Sequence, residues 1–301
     1  MNATERESWL KERKSGIGGS DAPAVCGVSP WKSPLAVYLD KLDRLPESPP
    51  TLQMELGLLL EPAIATLYEQ RTGFRLEKTE KPITRHPSIP WAFASLDYRA
   101  AIDRRPVEVK TTHERNRGQW GEPGSDEIPD HYLIQVTHEM ECAEADVADV
   151  PCLFGLSEFA VFTVRRSESL ARRVLEIEAE FWDRVQRQEP PEPTWGDLQT
   201  SKLLNYLNPP DGSEIDLDPE GVNLAELYRS LGKDISDKEK QRDELKARLI
   251  HLMGPASIAH LPSGDRLRRK EIKRDGYTVE PTTYVDFRFL SPPKSKGKGK
   301  Q

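Results

Sequence analysis

Three side chains near the middle of the chain have the types and spacing for chemistry on phosphate. Asp97 stands in "SLDYRA", and Glu108 and Lys110 stand two residues apart in "VEVKTT". A strand sends alternate side chains to opposite faces, so Glu108 and Lys110 share one face and Val107 and Val109 the other. If "WAFASLDYRAA" (91–101) and "PVEVKTT" (106–112) form a hairpin, two carboxylates and an ammonium meet on one surface. Two hard oxygen ligands suit Mg²⁺, which keeps several waters and takes phosphate oxygens as further ligands. Such a metal polarises a phosphodiester and lowers the pKa of a bound water. The ammonium of Lys110 would position that water or stabilise the charge that develops on phosphate. The alternative is a solvated strand face, because charge runs on surfaces are common.

These side chains need elements to hold them. Residues 52–71 carry apolar side chains at Leu52, Leu56, Leu59, Leu60, Ile64, Leu67 and Tyr68, a helical spacing, and Gly73 is a natural stop. Pro62 falls inside this helix, directly after the carboxylate of Glu61. It removes one helix bond and predicts a kink or a restart. "PDHYLIQVTHEMECA" starts on Pro129 and Asp130 and predicts a helix that carries Gln135 between His131 and His138. The segment 112–130 reads as a long polar loop, with Trp120 either stacking on a base or anchoring the loop. At the front, "ESWLKERKSGIGGSDAPAVCG" predicts a helix stopped at Gly16 and a glycine-rich turn. Ser20 or Asp21 then caps the next helix. "PWKSPLAVYLDKLDR" continues helically, "DVADVPCLFG" and "EFAVFTVRR" read as strands, and "SESLARRVLEIEAEFWDRVQRQ" as an amphipathic helix. The order predicts an α/β (α+β) core with a mixed central sheet flanked by helices. A long charged helix follows, broken at Gly232 and carrying a core-like stripe at Leu245, Leu249 and Leu252. Short strands come after it.

Composition is consistent with a folded, soluble enzyme. The chain has 301 residues, 31% of them charged, with six Trp, eight Tyr and eight Phe. No apolar run approaches the roughly 20 residues that span a bilayer, and the N-terminus has no apolar signal core, so the expectation is cytoplasmic, without a membrane partner. Cys26, Cys142 and Cys152 are widely spaced and form no CxxC pair, which disfavours a disulfide framework, a zinc ribbon or a cluster. They are expected to be buried or half-buried thiols. The formal charge is −7, yet residues 262–301 carry 11 Lys/Arg against 5 Asp/Glu. An acidic enzyme can still hold DNA in a local basic groove.

Five separated stretches, "GIGGSDAPAVCG", "MELGLLLEPAIATLYEQRTG", "SLDYRA", "VEVKTT" and "WGEPGSDEIPDHYLIQVTHEM", occur in this order. Together they resemble the YqaJ-type viral recombinase family, which is similar to the lambda-exonuclease-like nucleases of PD-(D/E)XK fold. The likeness covers about residues 8 to 185, and Leu96 stands where the family signature has its proline. The resemblance implies a restriction-endonuclease-like core over 1–195; composition alone marks off a linker (196–218), a helical and short-strand appendage (219–291) and a basic tail (292–301) after it. It implies Asp97, Glu108 and the carbonyl of Val109 as ligands for Mg²⁺, or Mn²⁺ in its place, with Glu61 as the helix carboxylate that holds a second metal or its waters. Lys110 and Gln135 complete the catalytic set, and Arg13, Ser20 and Ser95 bind a DNA 5′-phosphate. The implied activity is 5′-to-3′ hydrolysis of linear duplex DNA from its ends in phage-type recombination. A single-strand annealing protein and further copies of the chain are the implied partners. An endonuclease or nickase of the same fold, or a non-catalytic DNA-binding scaffold, are the competing readings.

Overall fold

A computed structural model describes residues 11–46, 49–79, 83–273 and 284–289. The expected N-terminal helix is therefore described only from Lys11 onward, and the basic tail at 292–301 and the turn expected at "RDG" lie outside the described residues. The chain divides into two units, Met1–Pro209 and Pro210–Gln301.

The first unit begins with the glycine-rich turn, whose Ile17–Gly18 (β1) is a short buried strand. Gly16 has no room for a side chain, because a Cβ there would lie 2.1 Å from the Trp91 carbonyl oxygen. Ala22–Val25 (α1) follows with Pro23 in its first turn, and Pro34–Lys41 (α2) is capped by Ser33, whose Oγ accepts from the Ala36 N–H. Next comes Leu52–Thr72 (α3), capped by Thr51 and ended by Gly73 at φ 76°. Leu76–Glu77 (β2), Thr84–Arg85 (β3), Ala92–Ala94 (β4), Tyr98–Ala100 (β5), Pro106–Val107 (β6) and Lys110–Thr112 (β7) lead to a 3₁₀ turn over Glu114–Gln119. Asp130–Ala143 (α4), Val147–Phe154 (β8), Glu158–Arg165 (β9), Glu168–Arg187 (α5) and Thr200–Leu207 (α6) complete the unit.

The fold is a mixed α/β arrangement. In the main sheet β2, β5 and β6 are antiparallel neighbours, β6 and β7 both run parallel to β8, and β9 closes antiparallel on the other side of β8. A second sheet has the order β1-β4-β3, with β1 parallel to β4. The hairpin expected between 91–101 and 106–112 exists as β5–β6, with Tyr98 opposite Val107. The stretch 91–101 is not one strand, however. It leaves the β1-β4-β3 sheet at Ala94 and enters the main sheet at Tyr98, so Asp97 sits at the crossing.

Helix α3 runs unbroken through Pro62. The carbonyl that loses its partner belongs to Leu58, which is exposed and open to solvation. The expected apolar stripe holds only in part. Ile64 and Tyr68 are buried, whereas Leu52, Leu56 and Leu59 are exposed, because the first half of the helix has no core packed on it among the described residues. Strand β9 alternates as period-2 burial requires, with Ala160, Phe162 and Val164 inward. Trp120 is buried among Tyr132, Phe154 and Phe162, which settles it as a loop anchor and rules out a base platform at that position. Helix α6 lies in the segment expected to be a linker and packs Leu203 on Leu35, Leu39 and Phe181.

In the second unit, Pro219–Met253 (α7) is a single 35-residue helix capped by Asp218. It passes Gly232 without a break, in contrast to the expectation. Leu245, Leu249 and Leu252 are exposed, so they form no core stripe among the described residues. Ile258–His260 (β10) and Arg266–Arg268 (β11) pair around the predicted turn at "SGD".

Candidate active site

The carboxylate pair forms where β5 and β6 part. The register Tyr98 to Val107, continued, would set Asp97 opposite Glu108 and Leu96 opposite Val109. Instead the side chain of Asp97 takes over: its Oδ2 accepts the Val109 N–H at 2.9 Å. Glu108 lies on the neighbouring stretch, 6% exposed, held by its N–H to the Asp149 carbonyl. The Lys110 ammonium donates to Glu108 Oε1 (2.7 Å) and to Gln135 Oε1 (3.1 Å). The Gln135 amide donates in turn to Glu108 Oε1 (2.6 Å) and to Glu139 Oε1 (2.9 Å). Helix α4 thus delivers Gln135 and Glu139, four residues apart on one face, onto the strand that carries Glu108 and Lys110. Glu61 on α3 pairs with Lys78 at 3.7 Å and hydrogen-bonds the Tyr98 phenol; its charge reaches Asp97.

The electrostatics are those of a carboxylate cluster short of positive charge. Burial and the neighbouring Glu108 push the Asp97 carboxyl well above its usual range. Burial and Glu108 do the same to Glu139. Burial alone would lower the Lys110 ammonium, but Glu108 and Glu139 outweigh it and hold Lys110 raised and charged. Glu108 Oε2 and Glu139 Oε2 are buried and have no hydrogen-bond partner. An orphaned carboxylate oxygen in so negative a pocket fits a divalent cation. Among the described residues no three His, Cys, Asp or Glu side chains are gathered tightly enough to hold an ion alone. The donor set available is therefore Asp97 and Glu108 with backbone oxygen and water, the pattern Mg²⁺ favours, while Glu61 stands apart, engaged by Lys78 and Tyr98.

A second cluster adjoins the first. Arg13 donates to Ser20 Oγ at 2.9 Å. Beneath them Asp21, 1% exposed, gathers Lys41 (2.6 Å), Lys32 (3.7 Å) and Arg13 (3.9 Å). Burial would raise the Asp21 carboxyl, but these three cations hold it well below the usual carboxylate range. Lys32 is shared with Asp40 at 3.4 Å. Ser95 follows β4, whose parallel register with β1 brings it to the same end of the strand pair as Ser20. The two clusters share a wall at Glu139: a Cβ on Gly19 would lie 2.7 Å from its Oε1, so only glycine lets the turn pass. An open groove of about 950 Å³ beside Lys78 is lined by Arg85, Arg99 and Arg104 as well as Glu12 and Glu77.

The structure thus brings Asp97, Glu108, Val109, Lys110 and Gln135 together and sets Arg13 on Ser20. Sequence reasoning missed Glu139, Lys41 and Lys32. The i, i+4 spacing of Gln135 and Glu139 was the available signal for the first; nothing local marks a lysine that will be buried. His138 is structural: its Nδ1 meets the Glu178 carboxylate at 2.8 Å and its Nε2 meets the Phe93 carbonyl at 2.8 Å. His131 faces Trp31 edge-on, and burial together with Lys110 pushes its imidazole down. Cys142 and Cys152 are buried and Cys26 is half-buried; burial pushes the Cys26 and Cys152 thiols up to about 12, leaving them poor nucleophiles.

The chain resembles known proteins in sequence and in fold. The family profile described as "YqaJ-like viral recombinase domain" matches residues 8–146. The YqaJ protein of Bacillus subtilis strain 168 is 30% identical over 261 residues, which is 85% of this chain and 81% of that protein. Among solved structures, the alkaline exonuclease LHK-Exo of Laribacter hongkongensis superposes with TM-scores of 0.52, in complex with dAMP, and 0.50. In both comparisons 61% of this chain and 94% of that one are covered, at 17% and 18% identity, a likeness of fold. With the Bacillus subtilis YqaJ protein 30% identical over most of both chains and the profile matched over residues 8–146, the chain belongs to the YqaJ-like viral recombinase family, and its fold is similar to that of LHK-Exo.

Proposed function

We propose that the chain is a Mg²⁺-dependent deoxyribonuclease that degrades linear duplex DNA from its ends, 5′ to 3′, in phage-type recombination. The observation that carries this is the orphaned, buried Glu108 Oε2 beside Asp97, Lys110 and Gln135, with the Arg13–Ser20 cluster next to it. Asp97 and Glu108 would hold Mg²⁺ with the Val109 carbonyl, Glu61 would act on its waters, and Mn²⁺ would serve in its place. A bound ion supplies a polarised phosphodiester and a water of lowered pKa. Lys110, held charged by Glu108, neutralises charge building on the phosphate oxygens. Gln135 fixes both the ammonium and the Glu108 carboxylate by its two-ended amide. Arg13, Ser20 and Ser95 take the 5′-phosphate, since an Arg fork, hydroxyls and glycine-turn amides make a phosphate cradle. That LHK-Exo has been solved with dAMP, a 5′-phosphorylated nucleotide, is in keeping with such a pocket. Contacts of this kind carry little base information, so sequence preference is low. A single-strand annealing protein would take the exposed strand, and a homo-oligomer would keep the enzyme on its track.

The test is digestion of a linear duplex with a 5′-phosphate, the same duplex with a 5′-hydroxyl, and a closed circle, each with Mg²⁺ and with EDTA. Mg²⁺-dependent loss of the linear forms only, faster with the phosphate and reduced about 10³-fold in Lys110→Ala, is expected. Cutting of the circle establishes an endonuclease instead, and binding without cutting leaves a scaffold.

A further inference from the structure

Trp31 is a large aromatic side chain, 64% exposed, in a turn that neighbours both clusters. The turn is fixed rather than loose. Ser29 Oγ accepts the N–H groups of both Trp31 and Lys32 at 3.2 Å, and Ser33 caps the helix that follows. On one side, the next residue, Lys32, reaches Asp21 in the Arg13–Ser20 cluster. On the other side, Trp31 neighbours His131 (centroids 4.8 Å, 85°) and Tyr132 (6.2 Å, 44°) on α4. The Tyr132 ring in turn carries the Lys110 ammonium 4.9 Å from its centroid. The contacts of Trp31 are edge-on or tilted, so among the described residues no ring stacks flat on it. An open pocket of about 450 Å³ adjoins the ring, walled in part by Pro30 and Lys32.

We infer that Trp31 is a stacking platform for the nucleobase at the DNA end. The inference rests on the nuclease reading, because it places the base between a 5′-phosphate at Arg13–Ser20 and a phosphodiester at Glu108–Lys110. An indole stacks on any base without reading its sequence, so a platform here orders the terminal nucleotide while keeping the enzyme indifferent to what it removes. Lys32 adds a cation beside the ring to neutralise the adjoining backbone.

The experiment compares a 5′-phosphorylated duplex with its twin whose terminal nucleotide is abasic. Binding is read by anisotropy in Ca²⁺ and digestion in Mg²⁺, for wild type, Trp31→Ala and Trp31→Phe. Wild type is expected to bind the natural end about tenfold more tightly than the abasic one. Trp31→Ala removes that preference, and Trp31→Phe, still aromatic, keeps most of it. Equal binding of the two ends by wild type overturns the platform, as does a preference that survives in Trp31→Ala. Base preference in binding without digestion upholds the platform and overturns the nuclease reading, so the two failures are distinguishable.

Discussion

At the scale of the residue, the site is a chain of shared hydrogen bonds in which Glu139 is the least expected member. Its Oε1 holds one proton of the Gln135 amide, and the other end of that amide holds Lys110. Removing it frees Gln135 to turn and leaves the Gly19 turn unsupported. Glu139→Ala should lower kcat about tenfold with KM within about twofold, the signature of lost positioning. Glu139→Gln, which can still accept from Gln135, should retain most of the activity; steady-state kinetics on a linear duplex check both. Asp97, Glu108 and Lys110 were legible in the sequence from their types and from strand alternation, and Gln135 only through the family resemblance. Glu139 and Lys41 were not legible, because a charged residue in sequence looks solvated until its burial and partners are known. Trp120 was ambiguous for the opposite reason: a loop position says nothing of which way the ring turns, and here it turns into the core.

At the scale of the element, buried ion pairs tie the helices to one another and to the glycine-rich turn. Asp21 and Lys41 pair at 2.6 Å with both side chains 1% exposed, and Lys41 also donates to the Arg13 carbonyl. Asp21→Ala strands a buried ammonium and should cost about 3–5 kcal/mol. Because the Asp21 carboxyl is held low, its contribution is complete above the unfolded value near ~3.9 and fades as pH falls below it. His138 runs the other way. Burial would lower its imidazole, but Glu178 raises it well above the usual value, so its contribution is complete below about 6.5 and fades as pH rises through the raised value. Thermal melts across pH should therefore fall at both limits, with Asp21→Asn flattening the acid limb and His138→Gln the alkaline one. Helix existence was plain from periodicity, and α4, α5 and the strands β8 and β9 lie where the sequence puts them. The crossing at Asp97 was hidden, since no proline or glycine between Ala94 and Tyr98 marks where one sheet ends and the other begins. Helix α3 survived Pro62 because the freed Leu58 carbonyl faces solvent, which no local rule states.

At the scale of the molecule, every proposed catalytic residue lies in the unit Met1–Pro209, whose helix α6 extends the core past the expected boundary at 195. A chain ending at Pro209 should melt within a few degrees of the full chain's first-unit transition and should keep Mg²⁺-dependent digestion; calorimetry and a gel assay decide it. None of the described residues of α7 is buried, so the sequence expectation of a charged, separate appendage had a physical basis in its composition. Its apolar side chains misled because helical spacing alone does not say that a partner surface exists. The wall shared by the two clusters has one more consequence. On the proposed reading, with a 5′-phosphate at Arg13–Ser20 and the scissile bond at Glu108–Lys110, Glu139 would act as a ruler, and the gap it fixes would set the length of each fragment released. Wild type should yield products of a single size by mass spectrometry, and Glu139→Ala, with the ruler loosened, a mixture of lengths.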